Sequence, residues 1–331
     1  MIRHPSFLLL ALMALICSGQ GQAEQRASVL VIESYHASYQ WDADYRRGIN
    51  DILGDSAELH FFQMDTKRLP TSEHPLRADL AWQAYRDTQP DLVILGDDNA
   101  LKHLGRRLAD TDTPVIYLGV NNNPRNYFSK IPRNITGVLE RPLLNRSIIY
   151  MREVMEGTLN KVLILFDDGT TAQALLEEQF QGKQQRTVGP VDVHIRLIGN
   201  IDDWREAVVS AEALEYDAIV VGLYHTLTEK NGAHVPAQEV ITWSSSHTKV
   251  PLFAFWEFAV GHDMAIGGLV LDGYTQGKVA ATIAADVLAG APLPRLPQSS
   301  DEGQFVFSQT QLDKWGITLP AGFSEISTLL P

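Results

Sequence analysis

Short, nearly continuous apolar runs alternate along the chain with stretches whose apolar residues recur every three or four positions. Ser28–Ser34 (SVLVIES) is rich in β-branched and aliphatic residues, the composition of a strand covered on both faces. The pattern then predicts a helix at Asp42–Leu53, a strand at Glu58–Met64, and a helix over Glu73–Thr88 with Leu76, Leu80, Ala84 and Tyr85 on one side. A strand at Asp91–Leu95, a helix at Ala100–Ala109 and a strand at Pro114–Val120 complete the first unit. This β-α-β-α-β-α-β order is that of a parallel sheet with right-handed crossovers.

Residues 121–137 (NNNPRNYFSKIPRNITG) break the rhythm, and their Asn, Pro and Gly content predicts a loop. A helix at Leu143–Met155 follows, and the alternation restarts. Strands are expected at Lys161–Phe166, Val191–Ile198, Asp217–Tyr224 and Pro251–Phe255, with helices at Thr171–Gly182, Asp202–Leu214 and Ala237–His247 between them. Two tandem units of like size and period suggest two lobes rather than one wide sheet. The tail adds a short strand at Gly267–Leu271, an Ala-rich helix at Tyr274–Leu288 stopped by Gly290 and Pro292, a strand at Gln304–Phe307 and a helical turn or two at Gln309–Trp315. These pieces are too few for a third domain.

The N-terminus changes the picture. Arg3 and His4 precede an unbroken apolar run, Phe7–Ile16, and Gly21-Gln22-Ala23 sets small residues at a cleavage site. That is the layout of a secretory signal peptide over residues 1–23, so the expected location is the periplasm. The run is shorter than the roughly 20 apolar residues of a membrane span. The only cysteine, Cys17, lies within this segment, behind the bulky Ile16 and not the small residue a lipoprotein signal uses. The expected mature chain therefore has no thiol for a disulfide, a nucleophile or a metal site. Residues 1–23 hold one of the 27 basic residues and none of the 40 acidic ones, so the charge of the remainder is −14 against −13 for the whole chain. With no basic run to offset it, this charge argues against nucleic acid and anionic lipid as partners.

The sequence carries no dinucleotide-binding, phosphate-loop, nucleophile-elbow or zinc-protease motif, and its ten histidines are not paired at ligand spacing, so neither a cofactor nor a metal is expected. Polar and aromatic residues instead gather at the carboxyl ends of the predicted strands, where open parallel sheets bind ligands. Ser34, Tyr35, His36, Tyr39 and Trp41 follow the first strand, Asp97, Asp98 and Asn99 the third, and Asn121–Asn123 the fourth. In the second unit Asp167 and Asp168, Tyr224 and His225, and Trp256 and Glu257 hold matching places. Aromatic faces there would stack on a flat or apolar ligand while carboxylates and amides fix its polar groups. Asp98 and Asp168 fit helix capping as well as ligand contact, and the three asparagines fit hinge turns as well as binding. Asn134-Ile135-Thr136 matches a glycosylation acceptor only formally.

Three stretches share a resemblance. VLVIESYHASYQWDADYRRGI, WEFAVGHDMAIGGLVLDGYTQGKVAATIAADVLAGAPLPRLP and FSQTQLDKWGITLP resemble the opening, closing segment and tail of bacterial solute-binding proteins of the ABC transporter group that includes tryptophan/tyrosine-type binding proteins. Similar domains serve as sensor parts of histidine kinases and diguanylate cyclases. The resemblance implies the type I periplasmic binding protein fold, an α/β fold of two Rossmann-like lobes with parallel sheets joined by three crossovers. On that model the chain crosses near 137–140, returns near 262–270 and crosses again near 292–300, with lobe 1 made of 24–138 and 268–296 and lobe 2 of 139–267 and 297–331. Ser34, Tyr35, His36, Asp97 and Asn121 then map to the lobe 1 rim, and Asp167, Tyr224 and Trp256 to lobe 2. The implied role is capture of a small polar or aromatic solute by a monomer and delivery to a membrane ABC permease. The alternatives are a periplasmic sensor acting in trans on a membrane histidine kinase or diguanylate cyclase, an exported α/β enzyme using carboxylates such as Asp97 and Asp168 as acid and base, and an interaction module whose cleft is filled.

Overall fold

A computed structural model describes residues 26–128, 130, 132–141, 143–299 and 303–331. The expected signal peptide, Cys17 included, lies outside the described residues. In the first lobe β1 (Ala27–Glu33), α1 (Gln40–Leu53), β2 (Ala57–Gln63), α2 (His74–Thr88), β3 (Leu92–Gly96), α3 (Asp97–Ala109), β4 (Val115–Val120) and β5 (Ile135–Leu139) follow one another. The sheet order is β5-β4-β3-β1-β2, with every pairing parallel. β3 and β4 are buried along their whole length, as an all-parallel sheet covered on both faces requires.

After β5 the chain passes to α4 (Leu144–Val154) and builds the second lobe: β6 (Lys161–Asp167), α5 (Thr170–Phe180), β7 (Gln185–Val188), β8 (Val191–Ile198), α6 (Ile201–Ser210), β9 (Ala218–Val221), α7 (Ala237–His247) and β10 (Leu252–Ala254). Its sheet runs β10-β9-β6-β8-β7, and only the β7 edge strand is antiparallel. β11 (Gly267–Val270) lies beside β10, to which it is tied by the Ile266 amide on the Leu252 carbonyl (2.7 Å). The chain then returns to the first lobe as α8 (Gly273–Leu288) and β12 (Gln298–Ser299), and crosses a third time to β13 (Gln304–Ser308), α9 (Gln309–Trp315), α10 (Ala321–Ser324) and β14 (Ser327–Leu330). The two α/β lobes and three crossovers are those the resemblance implied.

The packing of α8 on α1 positions the cleft. A Cβ on Gly48 would run into the Tyr274 carbonyl, and one on Gly277 into the Tyr45 carbonyl. The helices therefore touch backbone to backbone, which any larger residue would prevent. α1 is held rigidly with Trp41, Asp42 and Tyr45 buried on its inner side.

Several elements differ from the sequence pattern. The stretch expected to be a loop to residue 137 already contains β5, whose Ile135 and Val138 are buried. Its identity as a strand comes from pairing with β4 and not from local composition. Asn134 donates from Nδ2 to the carbonyls of Leu108, Thr111 and Thr113 (2.9–3.0 Å), so the formal glycosylation acceptor is a structural clamp. On α2, Leu76 and Leu80 are 60% and 44% exposed, while Ala78 and Ala81 take the buried face. The sheet selects small residues there because the helix lies close to it. β7, α10 and β14, absent from the pattern, are short, and β7 and β14 owe their form to pairing with β8 and β13. The lobe limits also shift: β11, expected within lobe 1 from residue 268, hydrogen-bonds to β13, and residues 298–299, expected in lobe 2, pair with β5 of lobe 1.

Candidate functional site

The carboxyl ends of the two sheets face each other, and side chains following β1, β2, β3, β6, β9 and β10 meet between them. Tyr35 Oη and Thr171 Oγ1 form a hydrogen bond across the cleft at 3.1 Å. The Tyr39 ring lies 4.6 Å from the His225 ring and 5.6 Å from the Phe258 ring, both from the second lobe. Trp256, at the end of β10, donates from Nε1 to Glu140 Oε1 at 2.6 Å, linking the second lobe to the first crossover. Asn121 Nδ2 donates to the other Glu140 oxygen at 2.8 Å.

Lys67, in the loop after β2, reaches into the middle of this assembly. It is only 7% exposed, and its ammonium sits 4.3 Å from the Tyr35 ring centroid and 4.9 Å from that of Tyr39. Such placement favours a cation through the ring quadrupoles. Burial lowers the Lys67 pKa, while Asp167, Asp97, Asp42 and Glu140 oppose that loss of charge.

The carboxylates fall into two kinds. Asp98 accepts from the Asn121 and Asn122 amides (3.0 Å each) and from the Tyr127 hydroxyl (2.9 Å). Asp167 accepts from the amides of Gly169, His225 and Thr226 at 2.8–3.1 Å. Both shape loops. Neither Asp98 nor Asp168 caps a helix: the first residues before α3 and α5 are Gly96 and Gly169, without side-chain caps. Asp42 and Asp97 are different. Asp42 is fully buried with only the Tyr45 hydroxyl beside it as a donor, and Asp97, 2% exposed, leaves Oδ2 without a partner. Asp97 adopts φ +68, a left-handed conformation costly for a side-chain-bearing residue, at the first position of α3. Beside it Gly119, at φ +66 in the irregular part of β4, would hold a Cβ tightly against the Asp97 carboxylate, at 3.0 Å from Oδ1. Burial pushes Asp42 and Asp97 well above the usual carboxyl range, and each gains further from nearby carboxylates, Glu33 for Asp42 and Asp42 and Glu140 for Asp97. Glu140 is raised to about 7, mainly by burial, despite its bonds from Trp256 and Asn121.

At the centre these groups enclose a cavity of about 10 Å³, below the room a water molecule needs, lined by Tyr35, Trp41, Lys67, Asp97, Glu140 and Trp256 among others. Two openings flank it, each walled by both lobes. The larger, about 770 Å³, contains His36, Tyr39, Tyr224, His225, Glu257 and Phe258 in its wall. The smaller, about 490 Å³, contains Thr66, Asn99, Asp167 and Asp168. Lys67 and His234 border both.

Of the residues expected from sequence, Tyr35, Tyr39, Trp41, Asp97 and Trp256 converge on the central cavity. His36, Tyr224 and Glu257 line the larger opening. His36 Nδ1 bonds Ser38 Oγ (2.8 Å), and the Tyr224 ring stacks on that of His225 at 4.3 Å. Burial, then Asp272 and Asp44, raise the Glu257 pKa. Ser34 uses its hydroxyl on the Gly96 carbonyl (2.5 Å) and the Ala100 amide (2.8 Å), pinning β1 to the start of α3. Asn121, like Asp98 and Asp167, is largely consumed by internal bonds, although its Oδ1 is buried without a partner. Asp97 lines the central cavity and Asp168 the smaller opening. Sequence reasoning missed Lys67, Asp42, Glu140, Thr171 and Phe258. Lys67 could have been found by inspecting the loop after the second strand as the others were inspected. Glu140 was hidden because the strand it follows, β5, was not expected there, and Asp42 because an acidic residue starting a helix looks like dipole compensation. Among the described residues no cluster of metal-ligating side chains is present.

No family model and no curated protein matches the chain. Solved structures do. An ABC domain in complex with L-Trp from Streptococcus pneumoniae shares 17% identity at a TM-score of 0.66, over 93% of this chain and 100% of that one. A conserved domain protein from Vibrio cholerae O1 biovar El Tor shares 17% at 0.68, again over 93% and 100%. The solute-binding protein of a 5-methylthioribose transporter from Thermotoga lettingae, in complex with 5-methylthioribose, shares 12% at 0.54, over 90% and 91%. These likenesses establish the fold, that of type I periplasmic binding proteins.

Proposed function

We propose that the chain is an exported solute-binding protein that closes its two lobes over a small polar or aromatic solute and presents the closed form to a membrane ABC permease. One observation carries the reading. Buried polar atoms without partners, from Asp97 and Trp41, gather with aromatic rings from both lobes in the cavity between the lobes. A folded protein leaves buried polar groups unpaired at a cost of about 1–3 kcal/mol each, and a bound solute would remove that cost. The likeness to solute-binding proteins, two of them solved with L-Trp and 5-methylthioribose, supports the same reading. Export rests on the signal-peptide pattern of residues 1–23. Among the described residues no helix is long and apolar enough to cross a membrane, so in this reading the permease is a separate chain.

Closure follows from the cross-cleft contacts. A solute touching Tyr35 and Trp41 on one side and Trp256 and Phe258 on the other has its full set of contacts only when the lobes are together, and its differential affinity shifts the open–closed equilibrium. Thermal-shift screening of purified protein against amines, amino acids, sugars and nucleosides tests the reading. The expected result is a rise in Tm with one chemical class, weakened by Tyr39→Ala and Phe258→Ala. No stabilisation by any class would sink it.

A further inference from the structure

The central cavity is asymmetric in charge. Asp97 and Glu140 bring two carboxyl groups to it, Asp97 with an oxygen that has no partner, and Lys67 brings one ammonium, while Asp42 lies behind this wall, close enough to act on Asp97 and Lys67. Asp167, the fourth acid acting on Lys67, already accepts three backbone amides. Arg46 is committed to a two-pronged pair with Glu33, and Arg68, on the rim of both openings, to a two-pronged pair with Asp65. The cavity is therefore short of positive charge. Its walls are also rich in rings: Tyr35, Tyr39, Trp41, Trp256 and Phe258. Rings and carboxylates around a small space are what binds an organic ammonium group, the rings through their negative faces and the carboxylates through charge-assisted hydrogen bonds.

Lys67 shows what such a group would do there. Its ammonium makes no side-chain hydrogen bond to any of these acids and instead rests against the Tyr35 and Tyr39 faces. The partnerless indole N–H of Trp41, 3% exposed in the same wall, marks the cavity as unfinished independently of the acids. We infer that the solute of this cleft bears an organic ammonium group, and that the Lys67 ammonium occupies that group's place while the solute is absent. Lys67 sits on a loop bordering both openings, so its side chain has somewhere to go when displaced. Its own charge competes with the solute, so closure without ligand and capture of a weak amine are alternatives for the same acids.

This inference rests on the solute-binding reading, and the experiment separates the two. Full-length processed protein is titrated calorimetrically at about pH 8, where carboxylates ionise most readily, with phenethylamine, choline and putrescine. The neutral and anionic counterparts are 2-phenylethanol and 3-phenylpropionate. An amine is expected to bind at least about tenfold more tightly than either counterpart. Lys67→Met is expected to tighten amine binding by about fivefold or more, because a competing cation is gone. Asp97→Asn is expected to weaken it about tenfold or more, with a melting curve confirming that the variant folds. The inference is overturned if 3-phenylpropionate or 2-phenylethanol binds best, if Lys67→Met abolishes binding, or if no amine binds either the parent protein or Lys67→Met. In those cases a neutral or anionic solute emerging from the thermal-shift screen leaves the solute-binding reading standing, whereas a blank screen removes both.

Discussion

The two walls of the cleft are built by the same kind of βα unit yet carry opposite accounts of their polar groups. On the second-lobe wall, Asp167 is fully used: three backbone amides converge on it and fix the loops that present Thr171, Tyr224 and His225. On the first-lobe wall, Asp97 is equally buried but retains an oxygen that nothing satisfies. Asp97 also holds a left-handed backbone conformation next to Asp98, which is as well satisfied as Asp167. Adjacent carboxylates at the start of one helix thus do different work, one holding the wall together and the other left facing the cavity. Strain and unmet hydrogen-bonding capacity concentrate where structure is retained for something other than stability.

The largest effect expected is on the element that joins the walls. Trp256→Ala removes a fully buried indole and its bond to Glu140, and should lower unfolding free energy by about 3–5 kcal/mol in urea titrations. On the second wall, Asp167→Ala strands three backbone amides and should cost about 3 kcal/mol, with faster amide exchange at 168–171 and 223–227. If that variant proves neutral, the contrast between the walls is wrong.

Glu140 offers a pH test of similar size. Its carboxyl titrates near 4.5 when unfolded and at about 7 when folded. The folded state therefore holds an extra proton between those values, and stability from this group falls as pH rises from 4.5 to 7 and then stays level. The loss amounts to about 3 kcal/mol. His225, pushed well below its usual value by burial and by Lys67, acts in the opposite direction, since acidification must charge it. Lys67, Asp98, Trp256 and Asn121 also face Glu140, so the readout is the difference between parent and Glu140→Gln across the pH range. That difference should shrink below about pH 5. The smallest expected effect has the opposite sign. Asp42→Asn exchanges a buried carboxyl beside Glu33 for an amide that can still accept from Tyr45, and should leave stability unchanged or raise it by about 1 kcal/mol at neutral pH. A loss of several kcal/mol would show that Asp42 carries structure after all.

Much of the architecture was legible along the chain because β-branched runs bounded by helical periodicity are local signals. The strands at Val191–Ile198 and the helix Ala237–His247 appear where the pattern sets them. The rule that ligands gather at strand carboxyl ends led to Tyr35, Tyr39, Trp41, Asp97 and Trp256, which do line the central cavity. The same rule could not separate Asp97 from Asp98 or Asp167, since what differs among them is the set of backbone amides folding brings near. Leu76 and Leu80 misled for a related reason: the helix face that turns inward is chosen by the closeness of the sheet.

By itself, then, the sequence determined two tandem α/β units, an acidic charge, an export pattern at residues 1–23 and a set of rim residues. Each of these depends on residues close together along the chain. Only the tertiary structure decided that Lys67, Asp97 and Glu140 share one cavity, that Trp256 bonds to Glu140, and which buried carboxylates lack partners. Those facts join residues as far apart as 116 positions, and they arise from how α1 and α8 touch and how the lobes meet. No local periodicity encodes such contacts, because they are properties of packed surfaces and of the low-dielectric space between them.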